Sequence, residues 1–292
     1  MTRMTSTLIA LATIALTTIS TQASERGAVA AAPPIEPTTL FSVPTGRVVR
    51  SMDLHVSGTG VVLSEAGSRP LAGAVLGLGN IAQLELGTIG IVSGIDKADE
   101  LIDVRSAGLR VFVPLSGYVR GVTASFRRSG TYSRHAAGTD YDAKAGVFYT
   151  VATLANYPDE QYATDPRAGW NGLKVKSHMG MKYIDAQLDG AAPTGTSFWR
   201  PVGGIELWKN DARARVIGEI NWIPGFERNG GERIELVRVV TGGVRYFFSK
   251  HATFDIGVRH QSNYDGLAES AIQAKLNLSL PTHSFRDRVV GN

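Results

Sequence analysis

The stretch "KVKSHMGMKY", Lys174 to Tyr183, decides how this chain folds. Its odd positions, Val175, Ser177, Met179, Met181 and Tyr183, are mostly apolar, while Lys174, Lys176, His178, Gly180 and Lys182 between them are small or cationic. Successive side chains of a strand point to opposite faces, so a period of two reads as an extended strand. A helix would scatter the same residues around its circumference.

The pattern recurs along the chain. In "SMDLHVSGT" Met52, Leu54 and Val56 alternate with Asp53, His55 and Ser57, and in "ARVIGEINW" Val216, Gly218, Ile220 and Trp222 oppose Arg215, Ile217, Glu219 and Asn221. In "TFDIGVRH" Phe254, Ile256 and Val258 oppose Asp255, Gly257 and Arg259. In "AIQAKLNLSL" Ile272, Ala274, Leu276, Leu278 and Leu280 oppose Gln273, Lys275, Asn277 and Ser279.

A sandwich or soluble barrel would also alternate, with its apolar faces turned inward. Three features favour a membrane barrel. The apolar faces continue long enough to approach the roughly 9 to 11 residues that a tilted strand needs to cross hydrocarbon. Tyr183, Trp199, Trp222, Tyr246 and Phe248 fall near strand ends, where an interfacial girdle belongs. Short connections such as "LGN", "PLSG", "KNDA" and "SKHA" interleave with longer polar ones, the hairpin rhythm of an outer-membrane barrel. The expected fold is all-β, a single-chain antiparallel transmembrane β-barrel of about twelve strands, with ten or fourteen as alternatives.

Strands are expected near residues 48–60, 70–78, 81–93, 105–114, 117–128, 144–155, 173–186, 197–208, 212–223, 234–248, 252–261 and 269–280. Outward loops are expected at 96–106, 129–144, 189–196, 225–233 and 262–268, with a short helix in "DKADELIDV". Strand parity puts the long segment 156–172 on the periplasmic side. Lipid then lies on the Met179 and Met181 side of the quoted strand and water on its lysine side. A slip of one residue would drive each lysine into hydrocarbon at roughly 2 to 4 kcal/mol near the midplane.

The N-terminus, "MTRMTST" followed by the apolar "LIALATIALTTI" and then "STQAS", reads as a Sec-type signal peptide over residues 1–23, cleaved after Ala23. Its apolar run is about a dozen residues, short of the roughly 20 of a spanning helix. Residues 24–45, with "AAPPIEPTT", read as a flexible Pro/Ala-rich leader, 46–280 as the barrel and 281–292 as a C-terminal tail. With Cys 0, neither a disulfide framework nor a lipoprotein lipobox exists. Losing Arg3 with the signal takes Lys+Arg from 30 to 29 against Asp+Glu 26, an excess too slight to imply nucleic acid.

The runs "GRVVRSMDLHVSGTGVVL", "GLGNIAQLELGTIGIV" and "FDIGVRHQSNYDGLAESAIQAKLNL" resemble uncharacterised, porin-like outer-membrane β-barrel proteins of Gram-negative bacteria, from Gly46 to Leu280. The resemblance implies residence in the bacterial outer membrane, lipid contact and insertion by the barrel-assembly machinery. It supplies no catalytic residues. Such barrels commonly end on an aromatic residue, whereas this chain continues past Leu280 as "PTHSFRDRVVGN", with Phe285 as the nearest candidate.

The expected lumen-lining set is Lys174, Lys176, Lys182, Arg213, Arg215, Arg245, Arg259 and Lys275 against Glu85, Glu206, Glu219 and Asp255. A water-filled lumen with this basic excess would pass small solutes and weakly favour anions. Alternatively the charges pair across a narrow barrel and plug it. A third reading makes the barrel an anchor whose loops bind a partner, with Tyr132, Tyr141 and Tyr264 as candidates. Catalysis is the least favoured: Asp53, His55 and Ser57 share a strand face, but same-face neighbours are nearly 7 Å apart, too far for a hydrogen-bonded relay. His178, His251 and His260 lack metal-ligand spacing, and no cofactor or metal is expected.

Overall fold

The computed structural model describes residues 37–63, 71–95, 100–158, 165, 167–209, 212–228 and 232–282. The signal peptide, residues 24–36 of the leader and 283–292 of the tail lie outside them.

Alternating segments form the strands β1 (Leu54–Leu63), β2 (Leu71–Leu78), β3 (Ala82–Gly94), β4 (Glu100–Pro114), β5 (Val119–Ser129), β6 (Tyr132–Ala136) and β7 (Thr139–Ala155). They continue as β8 (Leu173–Asp189), β9 (Thr194–Lys209), β10 (Ala214–Glu227), β11 (Arg233–Phe247), β12 (Ala252–Gln261) and β13 (Ala271–Leu280). Apart from β5 and β6, chain neighbours pair antiparallel, and β1 pairs with β13, Leu54 opposite Leu280. β5 and β6 lie end to end along β7, β6 against Thr139–Ala143 and β5 against Gly146–Leu154. They fill one place in the ring, which closes as a twelve-strand barrel. The ladder is shortest between β9 and β10, which pair only over Gly203–Leu207 and Val216–Ile220; beyond Ile220 β10 leaves β9 and turns inward.

The strand β8 shows what each face meets. Met179 (62 % exposed), Met181 and Tyr183 point outward, and Lys174, Lys176 and Lys182 are buried inside. Beyond Tyr183 the two faces exchange chemistry while the backbone alternation continues: Ile184, Ala186 and Leu188 are buried inside, and Asp185, Gln187 and Asp189 lie outside. Tyr183 pairs with Trp199 at this crossover, their rings 5.1 Å apart. From Leu173 to Tyr183, a rise of about 3.3 Å per residue at a tilt of about 40° spans roughly 25 Å, the height of a hydrocarbon-facing band. Leu109, Val111, Phe126, Ile256, Leu276 and Leu278 continue the exposed apolar band around the ring. Above it the outer face carries polar pairs, His135 with Asp140 and Lys144 with Asp189.

The upper interior, at the end away from Leu54 and Leu280, is split. Gly225–Glu227 of β10 reach across to pair in parallel with Val92–Gly94 of β3, with Val92, Ile223, Val237 and Val239 packed at the divide. Toward β7 and β8 lies an apolar core of Ile91, Ile102, Tyr141, Val147, Ile184 and Phe226. Toward the short strands β1, β2, β12 and β13, of 8 to 10 residues, the interior is polar.

Several expectations are corrected. Residues 48–53 precede β1, which begins at Leu54. Glu100–Val104 belong to β4 and not to a loop helix, and Asp96–Asp99 lie outside the described residues. The expected loop 129–144 is a strand hairpin, β6 and the start of β7, turning at Ala137 and Gly138, both with positive φ. Above the apolar outer band the contrast is reversed: Ala136, Tyr141, Ala143 and Ala145 turn into the core while Ser133, His135, Asp140 and Asp142 lie outside, so the segment does not repeat the apolar-outside pattern of the strands below. The long segment 156–172 does connect β7 to β8 at the lower end, beside Leu54 and Leu280 in strand parity.

Candidate functional site

Residues 37–50 occupy the lumen. Leu40 N–H donates to Val43 O and Thr45 N–H to Thr38 O, which folds Thr38–Thr45 into a small hairpin. Leu40, Phe41 and Val43 pack on Ile217 of β10. Two inward glycines make room: a Cβ on Gly257 would lie 2.7 Å from the Phe41 ring, and one on Gly204 would collide with Leu40. Pro37–Thr45, expected in a flexible leader, are therefore packed inside the barrel. Composition signalled disorder there because the segment lacks a pattern of its own; its partners come from the wall.

Those partners are mostly wall charges acting on strap backbone. Glu219 accepts the N–H groups of Ser42 (2.9 Å) and Val43 (2.9 Å) and the Ser42 hydroxyl. Arg245 donates to Thr39 O at 2.9 Å, Lys275 to Leu40 O at 2.6 Å, and Arg110 to Thr38 O at 2.5 Å. Further down, Gly46 N–H donates to Thr153 Oγ1 and Val49 N–H to Gln83 Oε1.

The remaining inner charges pair with one another. Arg245 grips Asp255 through two bonds of 2.8 Å, both side chains 0 % exposed. Arg110 meets Glu85 at 2.6 Å, and Arg215 meets Glu206 at 3.0 Å. Lys182 donates to Asn221 and to Trp222 O. Near the lower end Trp208 packs edge-on against Tyr157 of the long turn, with Arg215 4.2 Å above the Trp208 ring and Arg120 4.6 Å from the Tyr157 ring.

Lys174, Lys176, Lys182, Arg215, Arg245, Lys275, Glu85, Glu206, Glu219 and Asp255 are buried on the inner face, and Arg259 is half-buried on the same parity. Arg213 is the exception: it lies in the turn before β10 and is exposed. The candidate list lacked Arg110, Arg127, Gln83, Thr153 and Asn221, all set inward or against the lumen network. Arg110 had a signal, since it alternates with the outward Leu109 and Val111.

Asp53 precedes β1, whereas His55 and Ser57 lie on it. Thr153 Oγ1 lies 2.7 Å from His178 Nδ1, and His178 Nε2 lies 3.2 Å from Glu206, a hydroxyl, imidazole and carboxylate in sequence. Gly46 N–H occupies the hydroxyl from the other side, so this relay fastens the strap and faces no open space. Among the described residues no group of three or more metal-ligating side chains is placed to hold an ion. Of the loop tyrosines, Tyr141 is buried in the upper core with Tyr132 packed on it, and the Tyr264 hydroxyl accepts from Gln261. Partial burial holds the Tyr264 phenol above its ordinary pKa.

No protein-family model matches the chain, and no curated protein matches it. Solved structures similar to it include the translocator domain of autotransporter NalP from Neisseria meningitidis (TM-score 0.38, 11 % identity, 78 % of this chain and 85 % of that one). Others are the N-terminal β-barrel domain of Pseudomonas aeruginosa OprF (TM-score 0.22, 8 % identity, 78 % and 96 %) and Ail, the attachment invasion locus protein of Yersinia pestis (TM-score 0.22, 9 % identity, 79 % and 97 %).

Proposed function

We propose that this chain is an outer-membrane β-barrel whose lumen is sealed by its own N-terminal hairpin, a closed structural or ligand-binding barrel and not a standing pore. The observation that carries this reading is the capture of Thr38–Val43 backbone by Glu219, Arg245, Lys275 and Arg110 from four different strands. Charges that would select permeant ions in an open lumen here satisfy peptide groups. The test is conductance of the purified, refolded protein in planar bilayers. The expected trace is silent over a wide range of salt; discrete, persistent openings of the unmodified protein would overturn the sealed reading.

Membrane residence rests on the exchange of chemistry between the two faces at Tyr183. An apolar outer band would be an aggregation surface in water and is stable in lipid. Replacing Met179 by Lys puts a charge on that band at a cost of roughly 2 to 4 kcal/mol near the midplane. Assembly followed by heat-modifiable gel mobility should be impaired for Met179→Lys and retained for Lys176→Met, whose side chain faces inward. The reverse ranking would refute the assignment of faces.

A further inference from the structure

The polar side of the lumen encloses a cavity of about 210 Å³ above the strap, with Thr38, Phe41 and Ser42 at its floor. At about 30 Å³ per molecule that is the liquid volume of roughly seven waters, room for a small solute with some hydration. The charges on its wall do not balance. Lys275 is committed to the strap, Lys182 to Asn221 and Trp222, Arg110 to Glu85, and Arg127 to Glu85, Thr88 O and Ser106; Glu219 is committed to the strap as well. Arg259 remains: it lines the cavity, makes no ion pair or hydrogen bond among the described residues, and its Nε is buried without a partner. Thr241 lies directly opposite Arg259 in the β11 and β12 pairing; it is 1 % exposed, and its hydroxyl is also without a partner. Gln273, buried on neighbouring β13, lines the same space. The Asp103 carboxylate on the same wall acts on Arg259 through space, without a direct ion pair between them.

We propose that this cavity is a binding site for a small oxyanion, a phosphate or a short-chain carboxylate, held by the Arg259 guanidinium with the Thr241 hydroxyl and the Gln273 amide. A guanidinium fork matches the oxygens of either group, and a buried hydroxyl beside it supplies a further donor. The proposal rests on the sealed-lumen reading, since an open channel would leave these groups hydrated and exchanging ions freely.

The test uses the full chain folded in detergent, with thermal unfolding followed as inorganic phosphate or succinate is added at ionic strength held constant with sodium chloride. A ligand that binds only the folded state raises the unfolding temperature saturably. The expected result is such a rise for at least one of the two anions, with apparent affinity on the order of tenfold weaker in Arg259→Gln and measurably weaker in Thr241→Val. Phosphate alone or succinate alone identifies the source of the oxyanion. Absence of a saturable rise with both, or equal affinity in Arg259→Gln, overturns the proposal; if that variant does not fold, Thr241→Val decides in the same way. Planar-bilayer recordings on the same preparation separate the two claims. Silence without anion binding removes this site alone, whereas openings remove the sealed lumen whatever the binding shows.

Discussion

Deleting residues 24–47 should turn an electrically silent barrel into a conducting one. With the hairpin gone, Arg245, Lys275 and Arg110 lose the carbonyl oxygens of Thr39, Leu40 and Thr38, and Glu219 loses the N–H groups of Ser42 and Val43. Buried charges without protein partners draw in water, because the cost of leaving them dry exceeds that of hydrating the lumen. Arg245 keeps Asp255 and Arg110 keeps Glu85, but the emptied wall presents Arg110, Arg127, Lys182, Arg245, Arg259 and Lys275 against Glu85, Asp103, Glu219 and Asp255, an excess that should favour anions. The preference should weaken as the Debye length falls from about 10 Å at 0.1 M salt to about 3 Å at 1 M. Reversal potentials in a salt gradient measure this. A folded deletion variant that stays silent would show that the lower Trp208 and Tyr157 packing or the divided upper end closes the barrel without the strap.

Asp255→Ala should cost about 3 to 5 kcal/mol, because it strands the fully buried Arg245 guanidinium. The same carboxylate also accepts from Asn277 at 3.4 Å, so the loss reaches β13. Urea unfolding of the protein in lipid vesicles measures the cost. Replacing both partners, Arg245→Met with Asp255→Leu, should recover much of it, since an apolar pair of similar bulk leaves no orphaned charge. A single variant as stable as the unmodified chain would show that water or a neighbouring acid compensates Arg245.

The strands that cross the band were legible in the sequence because their two faces meet different surroundings: Met179 and Met181 stand on the exposed outer face while Lys176 and Lys182 are buried on the inner one. Where the outer solvent changes, the code changes. At Ile184 the apolar residues move from odd to even positions, which reads as the end of a strand although β8 runs on to Asp189. The polar hairpin 129–144 was lost to the loops for the same reason. Most of the inner charges followed from parity alone, and Arg213 failed because parity carries no meaning in a turn. The hairpin Thr38–Thr45 was illegible in principle: its conformation is set by Glu219, Arg245 and Lys275, more than 170 positions away.

That hairpin also constrains the order of assembly. It lies immediately before β1, and the ring is completed only when β1 joins β13, across more than 200 positions of chain. Such non-local pairing is slow to form, since its loop must close before any contact rewards it. The strap binds β4, β10, β11 and β13, so these strands can gather around it while the β1 to β13 seam is still open. In that order of events the N-terminal segment would act as a mandrel, with the wall wound on a short peptide that stays inside and the β1 to β13 seam locking it in.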